Sequence, residues 1–290
     1  MKLVTYRHDG AIRHGQLIED GTVIQPIGTG DLGVLVDKIH QLDKSAFTAA
    51  GPALPLADVE LLAPLLRPGK LLAAAANFQD HVTEAGGDPL DKSRLSPRLF
   101  LKPPTSIVGP DADIAMPTVS NQIDWEAELC VVIGTTARDV PVESALDIVA
   151  GYLTSNDVSA RSMDFGYERD TDDKAVWFFD WLGGKWLDGF APLGPWLVTA
   201  DEVPDPQALS ITCDVNGVRR QDGSTKDMIF SCAELVSFAS SLMTLEPGDV
   251  IMTGTPAGVG AATGDYLKVG DEVSVTIGHL GTLTNRMVAK

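Results

Sequence analysis

Cysteine is scarce in this chain: Cys130, Cys213 and Cys232 are the only three in 290 residues. Their number is odd, their spacings form no pair, and each lies in an apolar run. That argues against a disulfide framework or a thiolate zinc site and points to buried free thiols in a reducing compartment. Basic residues are also short, 22 against 40 acidic ones, for a formal charge of −18 and a pI near 4.5. Nucleic-acid and anionic-membrane partners select for concentrated Lys and Arg, so neither is expected. Long apolar runs are missing too. The longest candidate, Leu71 to Ala76, falls far short of the ~20 residues of a membrane span, and the first residues, Met-Lys-Leu-Val-Thr-Tyr-Arg-His-Asp, hold no signal core. A soluble, cytoplasmic protein is expected. The glycine-rich stretch up to Gly260 is followed by no Lys-Ser or Lys-Thr, and no helix-opening Gly-x-Gly-x-x-Gly is present, which removes phosphate-loop and dinucleotide sites. There is no internal repeat.

A chain of this length buries about three quarters of its unfolded surface, enough for one large domain, or a large one with a small partner. Leu3 to Tyr6, Ile12 to Ile18 and Val23 to Ile27 alternate as a three-stranded meander. Asp31 then caps a helical stripe of Leu32, Leu35, Val36, Ile39 and Leu42. Pro52, Pro55, Pro64 and Pro68 interrupt the next stretch, so a boundary is expected near Gly69, between a small domain, 1–68, and the rest, 69–290.

The chemistry centres on Ile123 to Ile133. At a strand's period of two, Trp125, Ala127, Leu129, Val131 and Ile133 share one face, and Glu126, Glu128, Cys130 and Val132 the other. Two carboxylates thus point one way on a face that turns apolar. Either this is an exposed acidic strand, or the pair edges a buried pocket, where a hard divalent cation would relieve the repulsion. Asp157 leaves another apolar run, Val149 to Ser155, and is either a third oxygen ligand or a turn cap. Three carboxylates and water would suit magnesium or manganese.

After Leu71 to Ala76, Gln79 to Gly87 reads as one or two helical turns. There His81 and Glu84 lie on the same face, forming either a general-base pair or a surface ion pair. A helix from about Pro141 is expected to bury Val142, Ala145, Leu146 and Val149, and a second, Cys232 to Leu242, to bury Leu235, Val236, Ala239 and Leu242. Ser162 to Trp186 reads as irregular, its aromatic group Trp177, Phe178, Phe179 and Trp181 fitting a core or dimer interface better than a substrate cage. Lys185 follows Gly183-Gly184, either reaching a pocket to hold an oxyanion or carboxylate, or simply solvated. Asn216-Gly217 marks a tight hairpin. From Met252 a strand runs into the glycine-rich loop, whose amides and Thr255 hydroxyl are offered to a substrate carboxylate, with pure turn chemistry as the equal alternative.

Taken together, Asn77-Phe78-Gln79-Asp80-His81, Asp124-Trp125-Glu126-Ala127-Glu128-Leu129, Gly151 to Arg161, Lys185 to Pro195, Asn216-Gly217, Thr225 to Phe230 and Thr244 to Gly260 resemble the fumarylacetoacetate hydrolase family, in its order, from Lys70 onward. The resemblance implies an α+β fold, a β-rich mixed-sheet core with a small N-terminal α/β domain, assembled as a homodimer. It makes Glu126, Glu128 and Asp157 the ligands of Mg2+, or Mn2+, and His81 with Glu84 the water-activating pair. Lys185 and Thr255 would touch substrate, with Asn77 and Arg161 among the substrate contacts. Asn77 stands where the hydrolase of tyrosine breakdown has a fourth carboxylate ligand, which is closer to the bacterial branch of acylpyruvate hydrolases, decarboxylases and isomerases. The implied activity is hydrolysis of a carbon–carbon bond in a 2,4-dioxo acid. Isomerisation or decarboxylation of a related dicarboxylate is the nearer alternative, and a non-catalytic small-molecule-binding oligomer the farther one.

Overall fold

The computed structural model describes residues 1–41, 43–84 and 86–290. A mixed, mainly antiparallel sheet organises them. Its path runs Leu54–Pro55, Val23–Thr29, Ala11–Ile18, Lys2–His8, Ala191–Thr199, Val149–Asn156, Ala127–Ile133, Val250–Met252, Leu71–Ala75 and Arg98–Lys102. A second sheet orders Val218–Ser224, Ser210–Val215, Glu272–Ile277, Thr282–Val288 and Asp113–Ala115. The fold is therefore β-rich α+β, as expected. Among the described residues, no helix is long and apolar enough to cross a membrane.

Ala127–Ile133 is buried on both faces, which is why its sequence is apolar nearly throughout. Ala127, Leu129, Val131 and Ile133 enter one core with Ile211, Val275 and the helix Cys232–Leu242. Cys130 and Val132 enter another, with Leu3, Leu32, Leu71 and Met252. The meander on the N-terminal side of Gly69 thus shares both a core and, through Leu3 opposite Leu197, a sheet with the rest. All three cysteines are buried and free, and burial pushes the Cys232 thiol up to about 12.

Several local expectations are corrected. The strand expected over Ile123 to Ile133 is interrupted at Trp125 and Glu126: Ile123–Asp124 pairs instead with Ser159–Ala160. Side chains replace the ladder there, with Asn156 Oδ1 accepting from the Glu126 amide at 2.9 Å and Gln221 Oε1 from the Ala127 amide at 2.9 Å. The Pro141 helix is a 3-10 segment, Val142–Ile148, in which Ala145 is buried while Val142, at its first position, is exposed. Leu242, the last residue of its helix, is exposed as well, because the chain turns extended at Met243. Within the supposedly irregular Ser162 to Trp186 lies an α-helix, Lys174–Gly183, whose first turn Asp173 caps by accepting from the Ala175 amide at 2.6 Å. Asp31 caps as expected, and Leu32, Leu35, Val36 and Ile39 are buried; Leu42 lies outside the described residues. The Asn216-Gly217 hairpin has φ of 52° and 74°, the paired left-handed conformations of a two-residue turn.

Candidate active site

The interruption at Trp125 and Glu126 opens the main sheet beside Asp157, and carboxylates from the two strands meet there. Glu126, Glu128 and Asp157 are buried and bring ligand oxygens within 4.8 Å of one another. Two buried lysines stand among them. Lys185 Nζ donates to Glu126 Oε2 at 2.8 Å and Asp157 Oδ2 at 2.7 Å, and Lys102 Nζ donates to Asp157 Oδ1. Arg161 bridges Asp124 Oδ2, at 2.7 Å, and Glu126 Oε1, at 2.5 Å. Lys185 reaches inward because Gly184 lies so close to Ala160 that a Cβ would sit 2.1 Å from its carbonyl oxygen.

Burial pushes the Glu126 carboxyl up, but Lys185 and Arg161 outweigh it and hold it well below the ordinary glutamate range. For Glu128 the balance goes the other way, with Lys185 and a backbone amide outweighed. Its Oε2 accepts from the Gly254 amide at 2.7 Å, while burial and the charges of Asp157 and Glu126 push its carboxyl well above the ordinary value. Burial lowers Lys102 more than Asp157 raises it, whereas in Lys185 the two carboxylates prevail. Asp124, Glu126 and Asp157 balance Lys102, Lys185 and Arg161 in charge, so the cluster is one positive charge short once Glu128 ionises. An all-oxygen donor set, completed when Glu128 gives up its proton, fits a hard divalent cation.

His81 and Glu84 lie on the short helix Gln79–Glu84, with Nδ1 to Oε1 at 2.7 Å. Glu84 Oε2 also accepts from the Gly258 amide at 2.6 Å. The carboxylate fixes the imidazole with its proton on Nδ1, leaving Nε2 as a base. His81, Glu126, Asp157, Arg161, Lys185 and Thr255 line a single cavity of about 280 Å³, with Ala74, Ala75 and Ala76 giving it room at a strand end.

The glycine-rich loop departs from expectation. Its amides at Gly254, Gly258 and Gly260 donate to Glu128, Glu84 and Asp124, so the chain's own carboxylates take them in place of a substrate's. Thr255 does face the cavity, its Oγ1 accepting from Gln221 Nε2 at 2.8 Å. Asn77 is corrected outright as a substrate contact. It is buried, donates from Nδ2 to the carbonyls of Phe230 and Thr253, and accepts at Oδ1 from the Phe230 amide, which occupies the side chain as a clamp between segments.

Sequence reasoning missed Lys102 and Asp124. The signal for Lys102 was present: at period two it shares a strand face with Phe100 and points inward. The aromatic group is not core: Trp177 and Phe178 are exposed, and with Trp181 they form a wall of the cavity.

The fumarylacetoacetate (FAA) hydrolase C-terminal family matches residues 70–288, and an Rv2993c-like N-terminal family matches residues 1–64. The chain is 41% identical over 247 residues to the mitochondrial oxaloacetate tautomerase FAHD2A of Homo sapiens, covering 84% of this chain and 74% of that protein. Among solved structures, 5-carboxymethyl-2-hydroxymuconate delta-isomerase from Mycobacterium smegmatis superposes with a TM-score of 0.79 at 34% identity, covering both chains fully. Maleylpyruvate hydrolase from Sphingobium sp. SYK-6, in complex with manganese (II) ion and pyruvate, does so at 0.79 and 29%, over 100% of this chain and 99% of that one. With the family match spanning everything from Lys70 almost to the last residue, and these likenesses extending over the carboxylate cluster, the chain belongs to the fumarylacetoacetate hydrolase family.

Proposed function

We propose that this protein is a divalent-metal-dependent hydrolase that cleaves a carbon–carbon bond in a 2,4-dioxo acid. The observation that carries this reading is the His81–Glu84 pair facing the same cavity as Glu126, Asp157 and Lys185, so that a base and a charged floor address one space. Held by Glu126, Glu128 and Asp157, magnesium or manganese would supply Lewis-acid polarisation of the 2-oxo acid and stabilise the departing enolate. Charge supports an anionic substrate, because a divalent ion overshoots the cluster's deficit by one charge, which a substrate carboxylate balances.

His81 Nε2 takes a proton from water, and the resulting hydroxide adds to the carbonyl carbon distal to the acid. Lys185 supplies positive charge to the oxyanion that develops there. The bond to the pyruvate half then breaks, its electron pair leaving with the enolate, and His81 returns the proton to give pyruvate and a second carboxylic acid. Thr255, whose oxygen already accepts from Gln221, has its hydroxyl proton free to donate to a substrate oxygen. A homodimer is the assembly that the family resemblance implies; sedimentation of the purified protein tests it.

Keto–enol tautomerisation is the second reading, favoured by the 41% identity to an oxaloacetate tautomerase. The same base would move a proton between carbon and oxygen without adding water. Product analysis on 2,4-dioxo acids and oxaloacetate, with and without EDTA, separates the readings. Pyruvate plus a second acid is the result expected, unchanged mass would shift the assignment to tautomerisation, and carbon dioxide would shift it to decarboxylation. No turnover on any of them would leave a binding protein.

A further inference from the structure

The cavity has a second character beyond its charged floor. Trp177, Phe178 and Trp181 present aromatic surface from the helix Lys174–Gly183, and Phe100 closes the wall edge-on to Trp181, with ring centroids 5.1 Å apart. These side chains are not core filler, since Trp177 is 63% exposed and Phe178 46%. The helix that carries them is held at both ends and in the middle. Asp173 caps its start, Arg169 pairs bidentately with Asp180 at 2.6 and 2.7 Å, and Gly184 fits tightly against Ala160 at its end. An aromatic wall fixed in place yet left open to solvent beside a catalytic floor is suited to burying an apolar group of the substrate.

We propose that Trp177, Phe178 and Trp181 form a subsite for an aromatic or bulky apolar acyl group, making the preferred substrates acylpyruvates whose distal end is a ring or branched chain rather than a second carboxylate. This rests on the 2-oxo-acid reading and adds the class of the distal group. Arg98 also lines the cavity, away from the carboxylate cluster's ion pairs, and favours a distal carboxylate. It is a single exposed side chain against three aromatic rings, so apolar selection prevails.

The test is calorimetric binding of pyruvate, phenylpyruvate and oxaloacetate to the manganese-loaded protein, which needs no turnover. All three share the 2-oxo acid, so differences report the distal group. Phenylpyruvate is expected to bind about tenfold more tightly than pyruvate, about 1.4 kcal/mol. Trp177→Ala and Trp181→Ala should each bring the two acids within about twofold, the loss being that of a ring contact. Trp177→Ala guards against misfolding, because that side chain is mostly exposed. Equal affinity for pyruvate and phenylpyruvate in the unaltered protein overturns the subsite. So does tighter binding of oxaloacetate that is lost in Arg98→Ala, which assigns the rim to a distal carboxylate. Failure of all three acids to bind sinks the 2-oxo-acid reading itself, and the subsite with it.

Discussion

The Gly258 amide donates to Glu84 at 2.6 Å, joining the helix that carries His81 to a loop 174 residues further along the chain. The same loop holds Glu128 through the Gly254 amide and Asp124 through the Gly260 amide. This glycine-rich loop therefore sets the relative positions of the imidazole's partner, a carboxylate of the candidate metal cluster and the anchor of Arg161.

That arrangement makes Gly258→Ala a sensitive probe. Gly258 has φ +104°, and a Cβ would lie 2.1 Å from the Arg220 carbonyl oxygen, so the loop must shift. Backbone strain of this kind costs about 1–3 kcal/mol, and a displacement of about 1 Å at the His81–Glu84 pair lowers turnover on the order of 10²-fold. Thermal unfolding and steady-state kinetics on the same preparation check both. Wild-type kcat in the variant would show that the Glu84–Gly258 bond positions nothing of consequence.

His81→Ala should lower turnover of 2,4-dioxo acids by about 10²- to 10⁴-fold, the contribution of a positioned general base. Manganese affinity, measured by titration calorimetry, should stay as in the wild type, since His81 bonds Glu84 and none of the three clustered carboxylates. Undiminished turnover removes the imidazole from the mechanism.

Glu128 predicts a pH dependence in protein stripped with EDTA. Its folded-state carboxyl lies well above the ordinary 4.5, so the folded chain keeps a proton that the unfolded chain has lost. Stability should therefore fall as pH rises from about 4.5 toward the folded-state value, and Glu128→Gln should flatten that part of the profile. Binding a divalent cation must release the same proton, so metal affinity should rise with pH across this window. Urea midpoints at a series of pH values, and calorimetry in buffers of different ionisation enthalpy, measure both effects. Identical profiles for the variant and the wild type would mean that Glu128 is ionised in the metal-free fold.

Lys102→Met removes the buried cation from Asp157. Breaking a buried pair on one side costs about 3–5 kcal/mol, read as a lower urea midpoint in EDTA. Added manganese should recover part of the loss by supplying positive charge to Asp157. An unchanged midpoint would show that Lys185 alone satisfies that carboxylate.

Much of the site was legible because strand periodicity is strict. The pattern put Glu126 and Glu128 on one side, and they do converge although the strand carrying Glu128 begins only at Ala127; His81 and Glu84, three apart in a helix, had to share a face. The aromatic wall was not legible, since Trp177, Phe178 and Trp181 suit a core, an interface or a pocket equally well by composition. Asn77 misled for a similar reason: an amide at a strand end serves backbone and ligand alike, and only its partners, Phe230 and Thr253, reveal which.

Local pattern, then, determined which side chains leave each element on the same side: the alternation of Ala127–Ile133, the Asp31 cap, the Asn216-Gly217 turn and the absence of any long apolar run. Tertiary structure alone decided that Lys102, Lys185 and Arg161 would converge on Glu126 and Asp157, and that three glycine amides would be taken by the chain's own acids. The physical reason is that facing depends on a few neighbouring dihedral angles. The state of a buried charge depends on which distant segments reach it, because in a water-poor interior each ion must find its partner within the fold.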